Sequence, residues 1–297
     1  MATRTILHNT PSHPGRKVLL DVGGTFVKCS DGRQISINSD GAREEIADAL
    51  CDAVGDADEV AVAIPGPFDY ANGVFMMKHK FASVYGDRFA DLVSASAVSG
   101  AVQDRHPRFL FMHDVVAMLM GEVAAGAGRG YGRVALVTLG TGLGFAMSIN
   151  GSVLLNDMGS PAVPIWNIPC RDGILEDYVS KRGILRGFPD GITVKELADL
   201  STHSLSEDAD SCNRRPFPSP DMVRDRFAEV GTTLAKALQP ILSEYRIECL
   251  LLGGQISRAY KLFGPSLEAW LASSRMLRHI GPVSDIGSAT FNGLRLL

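Results

Sequence analysis

Asp21-Val22-Gly23-Gly24-Thr25 follows the apolar run 18–20 and predicts a buried strand that ends in a glycine-rich turn. The same design recurs at Gly140-Thr141-Gly142-Leu143-Gly144, which follows the apolar run 134–139. Glycine lets the backbone come close to a ligand, and successive N–H groups in such a turn form a nest that binds anions. Two such turns in one chain, each with a threonine and the first with an aspartate, predict a polyphosphate held from two sides.

An ordinary hairpin is the alternative interpretation of each turn, because glycine pairs between strands are typical of hairpins. Both turns do lead into a second apolar run, at 26–29 and at 145–149, so we expect hairpins at both places. Hairpin formation alone does not explain the aspartate before the first glycines or the repetition of the design. Since no Gly-Lys-Ser/Thr follows and neither turn opens a helix, the pattern excludes a P-loop and a Rossmann dinucleotide fingerprint.

The composition is that of an ordinary globular protein of 297 residues, with 45% hydrophobic and 21% charged residues. The net charge of −4 and the lack of a basic stripe predict no nucleic-acid partner. No apolar run is long enough for a membrane span, and the N-terminus lacks a signal-peptide core, so we expect a cytoplasmic protein without a membrane partner. The five cysteines are scattered without a Cys-x-x-Cys pair, which predicts neither a disulfide framework nor a zinc site.

The order of the predicted elements indicates two α/β domains, each with a sheet that begins antiparallel. Three antiparallel strands are expected within 17–39, followed by a helix at 41–54 and a strand at 59–64. From residue 133 the order of strand, glycine turn and strand begins again. The other expected elements are a hairpin near Asn72-Gly73, helices at 86–104, 115–125, 173–185, 193–200, 220–245 and 286–296, strands at 108–112 and 247–252, a disordered arm at 1–15 and an exposed insertion at 202–219.

Asp114 stands where a buried strand gives way to a helix, which is a usual place for an active residue in an α/β sheet. The positive end of the helix dipole favours the anionic, proton-accepting form of such a carboxyl group. A plain helix N-cap has the same local sequence, so the residue pattern alone leaves both interpretations open. The pair Gly253-Gly254, after the strand at 247–252, is equally compatible with a simple strand-end turn or a ligand-binding turn.

Six segments of the chain, in this order, resemble the ROK family of sugar kinases and sugar-responsive repressors, within the actin/hexokinase superfamily. They are DVGGT, IPGP, HDVVAMLMGE, LGTGLG, LLGGQIS and the closing stretch 284–293, and the resemblance covers nearly the whole chain from about residue 17. It implies an α/β fold of the two-domain, actin-like ATPase (ribonuclease H-like) type with an interdomain cleft. Residues 16–113 plus 285–297 would form the small N-terminal domain, and residues 114–284 the large C-terminal domain.

The kinase branch of the family is the one that the chain resembles, because only about 16 residues precede the strand that leads into the first turn, too few for the helix-turn-helix domain of the repressors. The resemblance implies an ATP-dependent, glucokinase-like hexose kinase that uses Mg²⁺ and forms a homodimer. One alternative is a catalytically silent sugar-binding or regulatory protein on the same scaffold. A polyphosphate-dependent glucokinase is another, because the chain's shortened loop before Glu176 is similar to that branch.

The resemblance also assigns roles to individual residues. Asp114 falls on the position of the general base, and Asp21 on that of an aspartate that binds Mg²⁺ through water. The phosphate-binding and nucleotide-binding positions are Gly23, Gly24, Thr25, Gly140, Thr141, Gly142, Gly144, Gly253, Gly254 and Gln255. The sugar-binding positions are Gly66, His113, Asp157 and Glu176.

The chain departs from the family pattern mainly on the sugar side. His113 and Val116 stand where the family usually has asparagines, and Ser160 stands where it has a histidine. Of the multi-cysteine zinc loop only Cys170 remains, so we expect no zinc. These departures leave the identity of the hexose open and favour the silent alternative, whereas the retained aspartates and glycine turns favour the kinase. For Glu176 the local alternative is an exposed acid in the first turn of a helix.

Overall fold

A computed structural model describes residues 15–96, 106–201 and 218–297, and the chain divides into two compact units, Met1–Phe111 and Met112–Leu297. Three sequence predictions fall wholly or partly outside the described residues. They are the arm at 1–15, of which only Gly15 is described, the second half of the helix at 86–104 and most of the insertion at 202–219. Within the described ranges, no helix combines the length and apolarity that a membrane span requires.

The first unit is built on a mixed sheet whose strand order is β3-β2-β1-β4-β7. β1 runs antiparallel to β2, which runs antiparallel to β3, whereas β1 and β4 are parallel. A separate short hairpin is formed by β5 and β6. The strands are β1 (Lys17–Val22), β2 (Phe26–Cys29), β3 (Gln34–Ser36), β4 (Glu59–Ile64), β5 (Phe68–Asp69), β6 (Val74–Phe75) and β7 (Arg108–His113).

The spacing of apolar residues in the sequence explains which side chains form the core of the first unit. Helix α1 (Arg43–Val54) buries Ile46, Leu50 and Val54, which recur every four residues on one face. The next helix is α2 (Phe89–Ala95). In β4, every residue from Val60 to Ile64 is buried, as expected of a strand covered on both faces.

The second unit repeats this design with a sheet in the order β10-β9-β8-β13-β14. β8 is antiparallel to β9 and parallel to β13, which is parallel to β14, so the sheet again begins antiparallel, as the repeated sequence pattern predicted. A small hairpin pairs β11 with β12. The strands are β8 (Arg133–Leu139), β9 (Leu143–Ile149), β10 (Ser152–Val153), β11 (Pro169–Cys170), β12 (Gly173–Ile174), β13 (Cys249–Gly253) and β14 (His279–Pro282).

The helices of the second unit differ in part from those expected. The predicted helix at 173–185 is divided into a strand and two short helices, and the extended Ser180 separates the two helices. Helix α8 (Tyr260–Leu271) and strand β14 were not predicted from the sequence. The helix predicted at 286–296 is shorter in the structure, where it spans Ala289–Leu294. The helices are α3 (Asp114–Ala125), α4 (Glu176–Val179), α5 (Lys181–Leu185), α6 (Val194–Leu200), α7 (Pro220–Glu244), α8 (Tyr260–Leu271) and α9 (Ala289–Leu294).

Two glycines let α3 and α9 pack backbone against backbone. A Cβ atom on Gly121 would collide with the carbonyl oxygen of Ala289, and one on Gly293 would collide with the carbonyl oxygen of Ala117. The C-terminal helix therefore belongs to the second compact unit. This differs from the domain bounds that we expected, which grouped residues 285–297 with the N-terminal part of the chain.

Candidate active site

The turn of the second unit, residues 140–144, packs against the first turn of helix α3. It closes the β8–β9 hairpin, and the N–H of Gly140 donates to the carbonyl oxygen of Gly142 at 3.1 Å. Gly144 has no room for a side chain, because a Cβ atom there would collide with Thr138 Oγ1 and lie 3.5 Å from Val115 Cβ. The predicted phosphate turn and the start of α3 are therefore neighbours within one unit.

Asp114 is the first residue of α3, and its side chain is 42% exposed. The N–H of Val115 donates to Asp114 Oδ1 at 2.6 Å. A carboxylate at a helix N-terminus is stabilised by the helix dipole and by such N–H donors. The position thus favours the anionic form and leaves the side chain accessible from solvent, as a group that accepts a proton from a bound molecule requires.

His113, the last residue of β7, lies against this carboxylate. Its Nδ1 atom is 2.8 Å from Asp114 Oδ1 and 3.3 Å from the backbone nitrogen of Val115. One nitrogen cannot donate to the first and accept from the second at once. We assign the proton to Nδ1, because two acceptors 2.8 Å apart would repel each other, and the Val115 N–H already has Asp114 Oδ1 as its closer acceptor. His113 therefore orients Asp114.

Glu176, at the start of α4, is bonded to the turn between β8 and β9. Its Oε2 atom accepts from the N–H of Leu143 at 2.8 Å, and its Oε1 atom lies 3.2 Å from Arg182 Nη2. A Cβ atom on Gly142 would lie 3.1 Å from the same Oε2 atom. The side chain is only 22% exposed, so it differs from the exposed helix acid that the local sequence also allowed.

The glycines at the end of β13 lie beside the end of β8. A Cβ atom on Gly253 would collide with Met118 Sδ on α3, and one on Gly254, whose φ is +79°, would collide with the carbonyl oxygen of Leu139. Gln255 begins a 3₁₀ helix and accepts from Arg258 Nε at 3.1 Å. Close packing against backbone and the positive φ thus require glycine at 254, whereas a side chain at 253 would need Met118 to move. The packing brings this segment next to Leu139, the residue before the turn.

The site residues of the first unit lie at one edge of its sheet. Asp21 in β1 pairs with Lys28 in β2, whose Nζ atom is 3.4 Å from Asp21 Oδ2. The following turn is closed by Gly23 N–H, which donates to the carbonyl oxygen of Phe26 at 2.9 Å. Gly66 follows β4, and because β4 is parallel to β1, it lies at the same edge as the turn.

Gly24 and Thr25 are held by the segment that follows β3. The carbonyl oxygen of Gly24 accepts from Ser39 N–H at 3.0 Å, and that of Thr25 accepts from Ile37 N–H at 2.9 Å. A Cβ atom on Gly24 would lie 3.1 Å from Ser39 Oγ, which is tighter than ordinary packing. The geometry of this turn is therefore fixed by backbone contacts with residues 37 and 39.

Within the described residues, Asp157 makes no hydrogen bond or ion pair to the other predicted site residues. It lies in the loop between β10 and β11, where Asn156 Oδ1 accepts from the N–H groups of Met158 and Ser160 at 3.0 Å each. Across the described residues, no hydrogen bond or ion pair joins Asp157 to Glu176 or to the turn at 140–144. Asparagine side chains that bond to the backbone two residues on are typical of turns, so Asn156 shapes this loop.

Asp21 is the one predicted metal-binding residue, and it fits a particular kind of magnesium site. Within the described part of the chain, no three His, Cys, Asp or Glu side chains are grouped closely enough to hold a metal ion. Mg²⁺ dehydrates reluctantly and is commonly bound by one or two carboxylates together with water and substrate phosphates. A single carboxylate therefore fits an ion that arrives with a nucleotide.

Glu122 is a buried carboxylate that belongs to none of the predicted site motifs. It accepts from Ala127 N–H at 2.8 Å and from both the N–H and the hydroxyl of Ser284 at 3.1 Å. These donors satisfy the oxygens of a residue that is only 2% exposed, and they tie the last turn of α3 to the segment before α9. The signal in the sequence was an acid within an otherwise apolar helix.

Comparisons of this chain with a family profile and with known proteins agree on one family. The sequence profile of the ROK family matches residues 37–290. A glucokinase from Thermotoga maritima is 26% identical to this chain over 234 residues, which represent 72% of this chain and 70% of that protein. The predicted family resemblance is thereby confirmed.

Solved structures support the same fold. A ROK family glucokinase from Streptomyces griseus, in complex with glucose and AMPPNP, is 20% identical with a TM-score of 0.71, over 94% of this chain and 98% of that one. A ROK family transcriptional regulator, a homologue of the E. coli MLC protein, is 17% identical with a TM-score of 0.68, over 94% of this chain and 77% of that one. The predicted α/β fold of the two-domain, actin-like ATPase type is confirmed.

Proposed function

This chain belongs to the ROK family, and we propose that it is an ATP-dependent, glucokinase-like hexose kinase that transfers the γ-phosphoryl group to a sugar hydroxyl. The similarity to a glucokinase from Thermotoga maritima, and to a glucokinase bound to glucose and AMPPNP, supports this proposal. A cytoplasmic location and a homodimeric state are part of the same proposal.

The position of Asp114 is the observation that carries the proposal. Phosphoryl transfer requires alignment of the reactants, stabilisation of phosphate charge and a group that accepts the proton of the attacking hydroxyl. Asp114 is accessible, it stands at a helix N-terminus, which favours a carboxylate, and it begins the helix whose first turn contacts Gly144. As the sugar oxygen bonds to the γ-phosphorus, its proton passes to Asp114, and ADP leaves with the electrons of the broken bond.

The glycine turns would bind the phosphates through their backbone. The N–H groups of Gly23, Gly24 and Thr25, and those of Gly140, Thr141, Gly142 and Gly144, would donate to phosphate oxygens. Gly253, Gly254 and Gln255 would contact the nucleoside. Bound Mg²⁺, held by Asp21 through water, would neutralise phosphate charge.

The sugar would contact Gly66, His113, Asp157 and Glu176. His113 occupies the position of a family asparagine, and Val116, which is 2% exposed, occupies another. Because an imidazole and an isopropyl group offer different contacts from two amides, we expect a hexose preference that differs from that of a typical glucokinase. An acylamino sugar is one of the substrates to be compared.

A catalytically silent sugar-binding protein is the second candidate. Val116 and Ser160, which replace an asparagine and a histidine of the family, favour it, as does the structural similarity to a ROK transcriptional regulator. In such a protein Asp114 would bind a sugar hydroxyl without accepting its proton. The two candidates differ in turnover and not in ligand binding.

A coupled assay of ADP release across a panel of hexoses and acylamino sugars, with ATP and Mg²⁺, tests the proposal. Polyphosphate replaces ATP in a parallel series in which the sugar phosphate is measured. The kinase is supported if at least one sugar is phosphorylated with ATP at a rate well above the background hydrolysis. Binding of AMPPNP and a sugar without turnover on any member of the panel would favour the silent protein.

A further inference from the structure

The segment from Glu176 to Lys181 holds the turn at 140–144 at two points. Near the end of the turn, the N–H of Leu143 donates to Glu176 Oε2 at 2.8 Å. At the beginning of the turn, the carbonyl oxygen of Gly140 accepts from the N–H of Lys181 at 2.9 Å. The first contact uses a charged side chain, whereas the second uses only backbone atoms, so a substitution of Glu176 removes one and spares the other.

The absence of a side chain at Gly142 leaves room for Glu176 beside the turn. A Cβ atom there would lie 3.1 Å from Oε2, which leaves just enough space for the carboxylate beside the backbone. The side chain of Leu143 is 6% exposed and packs in the core of the unit, so the direction of its N–H is fixed. A hydrogen bond to a charged acceptor is stronger than one between neutral groups.

Arg182 holds the carboxylate from its other side. Its Nη2 atom lies 3.2 Å from Glu176 Oε1 and 2.6 Å from Asp177 Oδ1. Asp177 in turn accepts from the N–H of Ile174 in β12 at 3.0 Å. Glu176 therefore has one oxygen bonded to the turn, and its other oxygen is paired with Arg182, which Asp177 also holds.

We propose that Glu176 is a positioning residue for the donor-phosphate turn, in addition to its proposed contact with the sugar. This inference rests on the proposed function for the identity of the donor, but the contact with the turn stands apart from it. A carboxylate offers about four lone-pair sites, so sugar hydroxyls can bind Glu176 while Leu143 and Arg182 stay bonded. A sugar bound to Glu176 therefore immobilises the carboxylate that orders the turn, and sugar binding strengthens nucleotide binding.

The variants E176A and E176Q separate this role from sugar binding, because the glutamine oxygen can still accept from Leu143 N–H, whereas alanine cannot. D157A is the matched control, since Asp157 is also a proposed sugar contact but has no bond to the turn. The first measurement is amide hydrogen exchange of residues 139–145 in the ligand-free proteins. We expect about tenfold faster exchange at Leu143 in E176A, from the loss of a charged hydrogen bond, intermediate exchange in E176Q and no change in D157A.

The second measurement is the Kd of AMPPNP with Mg²⁺, with and without saturating sugar, by calorimetry. In the absence of sugar we expect about fivefold weaker binding to E176A, in line with the usual strength of such couplings, and no more than about twofold changes in E176Q and D157A. Sugar should lower the Kd for the wild-type protein and leave that of E176A unchanged.

Equal exchange at Leu143 in the wild-type protein and E176A would overturn the positioning role, as would an unchanged Kd of AMPPNP in E176A. A wild-type protein that binds no AMPPNP would instead overturn the proposed function and the coupling to sugar, and the exchange measurement would then decide the contact with the turn alone. Circular dichroism of each variant confirms that it is folded before these comparisons are made.

Discussion

The Nδ1 atom of His113 lies 2.8 Å from Oδ1 of Asp114, so the last residue of a strand fixes the first residue of the next helix. The histidine is mostly buried, whereas the carboxylate is accessible. An ordered partner on one oxygen restricts the rotation of the carboxyl group. The consequence is that the orientation of this carboxylate, the base of the proposed reaction, is set before any substrate binds.

Substitution of His113 by phenylalanine should lower kcat more than it changes the KM for ATP. Loss of a hydrogen bond to a charged group costs about 1.5–3 kcal/mol, so we expect a decrease in kcat of about 10- to 100-fold. Steady-state kinetics with the best hexose from the panel measures both constants. H113N, which restores an N–H donor, should recover part of the loss. A wild-type kcat in H113F would show that Asp114 needs no such partner.

Substitution of Gly293 by alanine should destabilise the second unit. The new methyl group would meet the backbone carbonyl of Ala117, and backbone atoms cannot move aside as a flexible side chain can. Overpacking of this kind costs about 1–3 kcal/mol, occasionally more. Urea unfolding measures the free energy.

Gly287 is the matched control, because the nearest atom to a Cβ there lies 3.4 Å away and belongs to the side chain of Asp285. G287A should therefore unfold close to the wild-type midpoint. If G293A and G287A have the same stability, the close contact between α3 and α9 is not present in solution.

Cys249 should resist thiol reagents in the folded protein. Burial, with the carboxylates of Glu122 and Glu248 nearby, raises the pKa of its thiol from 9.0 to about 12, so the thiolate that reacts is scarce at pH 8. Cys170 is only half-buried and should react first among the described cysteines. Peptide mass mapping after timed labelling at pH 8 identifies the modified residue, and labelling in urea is the control.

The same raised pKa has a consequence for stability. Because the folded state keeps the Cys249 thiol protonated, the contribution of this group to the free energy of unfolding is fully present below pH 9. That contribution is lost as the pH rises towards 12. In C249A, the free energy of unfolding should therefore vary less with pH between 9 and 12. Rapid native labelling of Cys249 at pH 8 would contradict the burial described for this strand.

The strands and glycine turns could be predicted because their signals are local. Alternating or continuous apolar runs marked β1, β4, β8 and β13 to within two residues at either end, and the switch at His113-Asp114 marked the start of α3. Helix α8 was missed because Gly264-Pro265 is typical of a break, yet Pro265 lies within the helix. Here the packing of the helix against its unit outweighs the local preference of proline.

Long-range contacts at the site had no local signal. The bond between Glu176 and Leu143 joins residues 33 positions apart, and that between Glu122 and Ser284 joins residues 162 positions apart. No spacing rule along one element connects such pairs. The extended conformation of Ser180, which separates α4 from α5 and lets Lys181 reach Gly140, was likewise hidden within a helical pattern.

The turnover of D114N is the most direct test of the central claim, that Asp114 accepts the proton of the attacking hydroxyl. The amide is nearly the same size as the carboxyl group but cannot take up that proton, so we expect kcat to fall by about 10²- to 10⁴-fold. The Kd of AMPPNP and the unfolding midpoint should stay close to wild type. A D114N protein that phosphorylates hexose at the wild-type rate would contradict the mechanism.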